Sequence, residues 1–303
     1  MKKIIIAGGN SFIGRHVVEQ LAEKNDMTVF VRFVTEELKK WGERLGIKMV
    51  GLELDNYNKM GNYVLDCDLY LPFTWEGTKK GDRDDLGKNK KSYEKILESV
   101  KILVEEKGCK KIIYPGSIQE YGEQKTFFTE ESKCEPQSWY GKYKYLLGRE
   151  IQKKCEAKKI NFVELRIFSV YGCDDSDDKF LNQIIDHLLA KETIECTRCE
   201  QKWDFLHVKD LANAIKKITE KDIESGIYNI ASSEQKVLKE YMEIVRKKID
   251  PDGRIEYGKI PYKDGVIPHV DYNAQKLQRE LGWQSTISFE AGVEEIIEER
   301  QKR

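Results

Sequence analysis

The sequence KIIIAGGNSFIG, residues 3–14, places a short apolar run directly before a glycine-rich turn. The run has the length and composition of a buried strand, and the residues after it have helical apolar spacing. Glycines allow a tight turn and let the backbone approach a pyrophosphate, whose charge is stabilised at a helix N-terminus. The stretch therefore predicts a dinucleotide-binding turn, with an ordinary tight turn as the alternative. Its candidate contacts are Gly8, Asn10, Ser11, Phe12, Ile13 and Gly14.

Strand-like and helix-like segments alternate beyond this turn. Residues 28–32, 68–71, 111–114 and 162–167 are typical of strands, and 13–24, 87–107 and 141–157 of helices. After about residue 170 the pattern predicts a hairpin near 193–200, then a strand–helix unit at 205–219 and a strand at 227–231 that rejoin the sheet. This alternation predicts an α/β fold, a Rossmann doubly wound parallel sheet with a smaller C-terminal α/β domain.

The domain boundaries follow from the same pattern. We expect residues 1–170, with about 205–232, to form the NAD(P)-binding domain. Residues 171–204 and 233–303 are expected to form the substrate-binding domain.

The composition narrows the possible partners and location. Of 303 residues, 40% are apolar and 35% charged, and the formal net charge is −1. No excess of one charge sign favours nucleic acid or a membrane surface, and no apolar run reaches the ~18 residues of a membrane helix. The seven cysteines show no pairing pattern, which favours a reducing cytoplasm. Cys196 and Cys199 have metal-knuckle spacing without a second ligand pair, so we predict a hairpin there and no metal site.

Arg32 stands where the second strand is expected to end. An acidic residue at this position would bind the ribose 2′-hydroxyl of NAD, whereas a cation suits the 2′-phosphate of NADP. Arg32 therefore predicts a preference for NADP(H), with NAD(H) possible. A solvated surface arginine is the alternative.

Tyr140 and Lys144 are four residues apart in a helical segment, which puts both on one face. An ammonium near a phenol favours the phenolate and lowers the phenol pKa, so the pair predicts an acid/base group usable near neutral pH. Ser117 follows the expected strand at 111–114 and precedes Tyr140 by 23 residues.

With the glycine-rich turn, this order resembles the extended short-chain dehydrogenase/reductase family, the NAD-dependent epimerase/dehydratase group. Further matching segments extend over nearly the whole chain. They are Asn89 in GKNKKSYEKILESV, Tyr121-Gly122, Pro136, RIFSVYG at 166–172, QKWDFLHVKD at 201–210 and Leu281-Gly282-Trp283.

The resemblance implies roles for individual residues. Ser117 and Tyr140 would hydrogen-bond the reacting sugar oxygen, Lys144 would bind the nicotinamide ribose, and Asn89 would support the cofactor site from its helix. Leu71 opens a segment, LPFT, that departs from the family's small residues beside the cofactor. Ser11 replaces the middle glycine of the turn, and Cys173 a usual proline.

The resemblance also limits the reaction. Ile118 and Gln119 occupy the positions of the Asp-Glu pair in relatives that dehydrate sugars, and neither side chain can act as a general acid or base. Dehydration and decarboxylation are therefore not expected. NADPH-dependent reduction of a nucleotide-linked 4-keto-6-deoxyhexose remains, with NAD-dependent 4-epimerisation as an alternative and a non-catalytic cofactor sensor or scaffold as another.

The expected partner molecules are a sugar-nucleotide substrate and a second copy of the chain. Gln119, Arg198 and Lys263 are candidate substrate contacts, and both cations could instead be ordinary surface charges. The family's dimers use the helices at 87–107 and 140–157, so a homodimer is expected.

Overall fold

The chain is described here by a computed structural model, which covers residues 1–79, 81–122, 127–232, 234–262 and 271–302. The strands are β1 (Lys3–Ala7), β2 (Asp26–Val31), β3 (Lys48–Gly51), β4 (Leu69–Pro72), β5 (Lys111–Ser117), β6 (Asn161–Ile167), β7 (Ser169–Tyr171), β8 (Ile194–Cys196), β9 (Lys202–Trp203), β10 (Phe205–His207), β11 (Gly226–Ile230), β12 (Lys236–Val237) and β13 (Ile255–Tyr257). The α-helices are α1 (Phe12–Leu21), α2 (Glu36–Leu45), α3 (Leu86–Glu105), α4 (Trp139–Lys158), α5 (Phe180–Leu189), α6 (Val208–Glu220), α7 (Leu238–Ile249), α8 (Gln275–Leu281) and α9 (Phe289–Gln301).

Seven parallel strands form the main sheet in the order β3-β2-β1-β4-β5-β6-β11. The direction of winding reverses between β1 and β4. In open α/β sheets, the crevice beyond the carboxyl ends of the strands at such a reversal is the place where ligands bind. This topology confirms the predicted Rossmann-type α/β fold.

Both faces of the sheet are buried, and β1 shows why its sequence is a continuous apolar run. Ile4 and Ile6 face one side of the sheet, in a core with side chains of α1 and α6. Ile5 faces the other side, in a core with side chains of α3 and α4. A strand covered on both faces has no solvent side and therefore shows no polar alternation.

A third hydrophobic cluster lies outside the sheet. It is built by side chains of α5, α7, α9 and β8, together with the ring of Phe205, which packs against the rings of Tyr171, Tyr241 and Phe289. These elements come from the chain after residue 170. This part of the molecule therefore has a core of its own.

The hairpin predicted near 193–200 is wrong. β8 pairs in parallel with β13, about sixty residues later, and β9 pairs with β12. The strand predicted at the start of 205–219 is also placed differently, because β10 pairs with β7 in a separate two-stranded sheet. The local pattern identified the extended segments but could not show partners so distant in sequence. β3, an edge strand, escaped prediction because it is short and half-exposed.

Asp210 joins α6 to the segment before α9. Its carboxylate accepts hydrogen bonds from the backbone N–H of Thr286 (3.0 Å) and Ile287 (2.9 Å) and from the Thr286 hydroxyl (2.8 Å), and the side chain is buried. These hydrogen bonds are partly buried, and a hydrogen bond to a charged group contributes ~1.5–3 kcal/mol.

We expect Asp210→Ala to lower the free energy of unfolding by about 3 kcal/mol, measured by urea denaturation. Asp252→Ala is the control, because Asp252 is exposed, and its effect should stay within ~0.5 kcal/mol. Equal unfolding midpoints for the two variants would contradict the role of Asp210.

Candidate active site

The glycine-rich turn has the close backbone packing that its sequence predicts. Gly8 has a φ of 76°, and a Cβ atom there would lie 2.8 Å from the backbone nitrogen of Thr74. A Cβ atom on Gly14 would lie 2.4 Å from the carbonyl oxygen of Gly8. Ser11, which replaces the usual glycine, has an unstrained φ of −70°, and its side chain accepts the Gly14 N–H as the N-cap of α1. The turn therefore tolerates serine and directs the α1 N-terminus into the crevice.

Ser117 ends β5 and begins a single turn over Ile118–Glu120. Its backbone N–H donates to the Glu120 carboxyl group at 2.8 Å, and its hydroxyl accepts the Gln119 N–H at 3.2 Å. This reciprocal capping fixes the serine side chain at the carboxyl edge of the sheet.

The first turn of α4 brings Tyr140 to Ser117. The Ser138 hydroxyl accepts the Gly141 N–H at 3.1 Å and so caps the helix. A Cβ atom on Gly141 would lie 2.3 Å from the carbonyl oxygen of Gln119, so only glycine allows α4 to pack this closely against the turn after β5. A hydrogen bond joins the side chains of Tyr140 and Ser117.

Lys144 lies one helical turn after Tyr140 and is only 5% exposed. Its ammonium donates to the carbonyl oxygen of Pro115 at 2.8 Å. Burial lowers the pKa of Lys144 to about 8, and the carboxyl groups of Glu120 and Glu164 act in the opposite direction. Lys144 is therefore mainly a cation at neutral pH.

The pKa of Tyr140 differs from the sequence-based expectation. Burial raises it above the ordinary phenol value, although the Arg83 guanidinium and the hydrogen bond to Ser117 act to lower it. Lys144 was expected to lower this pKa, but desolvation outweighs the favourable charges in this pocket. Tyr140 is consequently held as the neutral phenol, the form that can donate a proton.

A buried ionic cluster lies beneath these three residues. Arg166 on β6 contacts Glu164 at 3.0 Å and Glu120 at 3.5 Å, and Arg149 on α4 pairs with Glu164. Burial and the neighbouring Glu164 raise the pKa of Glu120 well above its ordinary value. The cluster ties the turn after β5 to β6 and α4, which are the elements that carry or support the three side chains.

A cleft of about 1650 Å³ opens above this constellation. Ser117, Gln119, Tyr140 and Lys144 line its floor, and Ser11, Phe12 and Ile13 line the side at the glycine-rich turn. The opposite wall comes from elements after residue 170. Residues lining that wall include Phe180, Asn182, Thr197, Gln201, Trp203 and Ile260. The cleft therefore joins the dinucleotide turn, the Ser-Tyr-Lys constellation and the third hydrophobic cluster.

Other predicted residues lie around this cleft or away from it. Asn10 and Arg32 are exposed, Arg32 directly after β2. Leu71 is fully buried in the core, and the neighbouring Phe73 lines the cleft in its place. Arg198 is exposed between two residues that line the cleft, Thr197 and Cys199. Lys263 lies outside the described residues.

Asn89 is fully buried on α3, where its amide group binds the segment after β4. It accepts the indole N–H of Trp75 at 2.8 Å and donates to the carbonyl oxygens of Asp82 and Asp85. It thus supports the site from its helix through Trp75.

Two cleft residues were missed by the sequence analysis. Trp75 packs edge-to-face on Tyr140, with ring centroids 5.9 Å apart, and the Arg83 guanidinium lies 5.7 Å from the Tyr140 ring centroid. Both belong to the irregular segment between β4 and α3, where no periodicity marks which side chains face inward. The sequence signal that could have identified Trp75 is the position of an aromatic residue so soon after the fourth strand.

Cys196 and Cys199 are both buried free thiols, and Cys196 lies in β8. Within the described part of the chain, no cluster of three or more His, Cys, Asp or Glu side chains is arranged to hold a metal ion. Over the same residues, no helix is long and apolar enough to cross a membrane.

Comparison with known proteins shows the family of the chain. Residues 4–231 match the NAD dependent epimerase/dehydratase family. The CDP-abequose synthase of Salmonella muenchen is 32% identical over 144 residues, which are 47% of this chain and 49% of that protein, so the match spans about half of its length. The dTDP-4-dehydro-6-deoxyglucose reductase of Escherichia coli is 25% identical over 321 aligned positions, covering 97% of this chain and 96% of that protein.

The fold itself is also shared with solved structures. A UDP-N-acetylglucosamine 4-epimerase from Methanobrevibacter ruminantium M1, solved in complex with UDP-N-acetylmuramic acid, superposes with a TM-score of 0.86 at 22% identity. The superposition covers 99% of this chain and 98% of that one. The family match covers three-quarters of the sequence and confirms the family expected from the motifs: the chain belongs to the NAD dependent epimerase/dehydratase family.

Proposed function

We propose that this protein catalyses the NADPH-dependent reduction of a nucleotide-linked 4-keto-6-deoxyhexose at its C4 carbonyl group. The observation that carries the proposal is the convergence of Ser117, Tyr140 and Lys144 on the floor of one cleft. The cleft lacks an acid where sugar dehydration would need one, because Ile118 and Gln119 follow the serine. The similarity to an abequose synthase and a 4-dehydro-6-deoxyglucose reductase supports the same reaction class.

The residues at the glycine-rich turn fit a dinucleotide cofactor. Gly8 and Gly14 leave no room for side chains, and the N-terminus of α1 offers backbone N–H groups beside Ser11, Phe12 and Ile13. When bound, NADPH supplies the hydride. Arg32, at the end of β2, supports the choice of NADP(H) because its cation can pair with the 2′-phosphate.

The side chains supply the proton and the charge stabilisation. As the carbonyl carbon accepts the hydride, the Tyr140 hydroxyl gives its proton to the carbonyl oxygen, so that a secondary alcohol forms. The Ser117 hydroxyl donates a hydrogen bond to the same oxygen, and the Lys144 cation stabilises the phenolate that Tyr140 becomes. The raised pKa of Tyr140 keeps the proton in place until it is needed.

In this proposal, one domain binds the cofactor and the other binds the sugar nucleotide. Residues 1–170, with about 205–232, bind the cofactor. Residues 171–204 and 233–303 form the second domain, which binds the sugar nucleotide. The enzyme is a homodimer in this proposal. The separate core of α5, α7 and α9 supports this division. The aromatic and polar residues on that side of the cleft offer stacking and hydrogen-bonding groups for a nucleotide.

The direct test is consumption of NADPH, with NADH in parallel, against nucleotide 4-keto-6-deoxysugars generated in place by a dehydratase. Each nucleobase is tried in turn and the products are identified by NMR. We expect one equivalent of NADPH to disappear for each ketosugar reduced at C4. Interconversion of C4 epimers of a hexose nucleotide, with bound NAD and no net cofactor consumption, would instead identify an epimerase.

Tyr140→Phe should lower kcat about a thousandfold, because general acid catalysis contributes ~10²–10⁴-fold. NADPH affinity, measured by fluorescence titration, should stay within about twofold of wild type. Tyr143→Phe is the matched control, since Tyr143 lies on the same helix and packs against Tyr93 and Trp139. Full turnover by Tyr140→Phe would refute the assigned proton donor.

Arg32→Asp should reverse the cofactor preference, because the carboxylate repels the 2′-phosphate and accepts the ribose 2′-hydroxyl. We expect the ratio of NADPH to NADH affinity to fall by about tenfold or more, which corresponds to ~1.4 kcal/mol. Arg44→Asp, an exposed charge reversal on α2, should leave the ratio unchanged. If both variants keep the wild-type cofactor preference, Arg32 does not select NADP(H).

A further inference from the structure

The Lys144 ammonium is enclosed by aromatic rings. Its Nζ atom lies 4.4 Å from the centroid of the Trp75 ring, 5.3 Å from that of Tyr114 and 5.9 Å from that of Tyr140. A cation within ~6 Å of a ring face is attracted by the negative potential of the π-system, most strongly over tryptophan. Because Lys144 is only 5% exposed, this attraction replaces part of the hydration that the ammonium loses on burial.

Few other groups stabilise the positive charge of the Lys144 ammonium. The Pro115 carbonyl oxygen accepts one hydrogen bond from Nζ at 2.8 Å. The ionisable groups that face Lys144 are Glu120 from the turn after β5, Glu164 from β6, Tyr114 from β5 and Tyr140 from its own helix. A buried ammonium with one carbonyl partner depends on its remaining neighbours to stay charged.

The three rings are held by separate elements. The Tyr114 hydroxyl donates to the backbone carbonyl of Lys144 at 2.9 Å, which joins β5 to α4. Trp75 is 9% exposed and lies in the irregular segment after β4, where its indole N–H donates to Asn89 Oδ1 at 2.8 Å. The Asn89 amide nitrogen donates to the carbonyl oxygens of Asp82 (3.0 Å) and Asp85 (2.8 Å), which anchors the same segment to α3.

We propose that Trp75, with Tyr114 and Tyr140, forms an aromatic cage that keeps the Lys144 ammonium charged and in place, and that Asn89 locks Trp75 into this cage. Trp75 is thus a positioning residue that acts through Lys144. The consequence for turnover rests on the proposed function, whereas the effect on Lys144 itself does not.

The proposed cage predicts that the Lys144 pKa depends on the side chain at position 75. Burial lowers the Lys144 pKa to about 8, and rings that stabilise the cation raise it. Replacing Trp75 by Leu removes the nearest ring face, so the Lys144 pKa should fall by about one unit, to ~7. Trp75→Phe keeps a weaker ring face and should lower the pKa by about half as much.

The first measurement needs no substrate. Protein carrying carbon-13 at the lysine Cε is titrated by NMR, and the Lys144 resonance is assigned as the one that Lys144→Arg removes. Trp41→Leu is the matched control, because Trp41 also donates its indole N–H to a side chain, Glu19. The expected order of Lys144 pKa is wild type and Trp41→Leu, then Trp75→Phe, then Trp75→Leu.

The second measurement is the pH dependence of kcat with saturating substrate and cofactor. Because protonated Lys144 is the active form, activity is present below its pKa and is lost as the pH rises through it. A fall of about one unit halves kcat near pH 7 but lowers it about tenfold near pH 9. A purely structural defect would lower kcat by the same factor at every pH.

The outcomes separate the two proposals. An unchanged Lys144 pKa in both folded Trp75 variants overturns the cage, and if Trp75→Leu fails to fold, Trp75→Phe decides. A wild-type enzyme without ketoreductase activity overturns the proposed function but leaves the NMR titration as the test of the cage.

Discussion

The close approach of α4 to the turn after β5 is the constraint on which the active site depends. Gly141 makes it possible, because any side chain there would collide with the Gln119 carbonyl group. Ser138 fixes where the helix begins, and the Ser117–Glu120 capping arrangement fixes the turn. Tyr140 and Ser117 therefore meet because backbone packing brings them together, before any interaction between their side chains contributes.

Beneath that contact, the protein buries several ionisable side chains. Glu120, Glu164 and Arg166 are all nearly inaccessible to solvent, and Lys144 lies close above them. Taking such groups out of water is costly, and their mutual attraction offsets the cost only with good geometry and hydrogen bonds. The cluster is therefore better understood as a device that fixes the relative position of β5, β6 and α4 than as a source of stability. Above the cluster, the burial of Tyr140 holds it as a phenol, and the burial of Lys144 lowers its pKa to about 8 against the opposite effect of the Glu120 and Glu164 carboxyl groups.

The sequence predicted the parts of this architecture that local signals encode. The apolar run at residues 3–7, the glycine-rich turn and the helix containing Tyr140 and Lys144 all have short-range patterns, and the structure has elements at each. It did not predict that β8 pairs with β13, because strand partners sixty residues apart leave no local trace. Trp75 and Arg83 were missed for a related reason. The segment between β4 and α3 has no regular period, and the direction of its Trp75 side chain is set by a hydrogen bond to Asn89 on the helix that follows the segment.

The pKa of Tyr140 shows the limit of reasoning from spacing alone. The spacing between Tyr140 and Lys144 correctly places both on one helix face, and from that alone a lowered phenol pKa follows. The direction reverses in the folded protein because desolvation depends on what surrounds the pair, namely Trp75 from the segment after β4, Tyr114 from β5 and the floor of the cleft. The raised pKa of Tyr140 suits a reaction that needs a proton donor, because a phenol that ionised too readily would have no proton to give at neutral pH. In the proposed reaction, the charge that stabilises the Tyr140 phenolate comes from Lys144, so the surroundings that keep this lysine protonated also contribute to turnover.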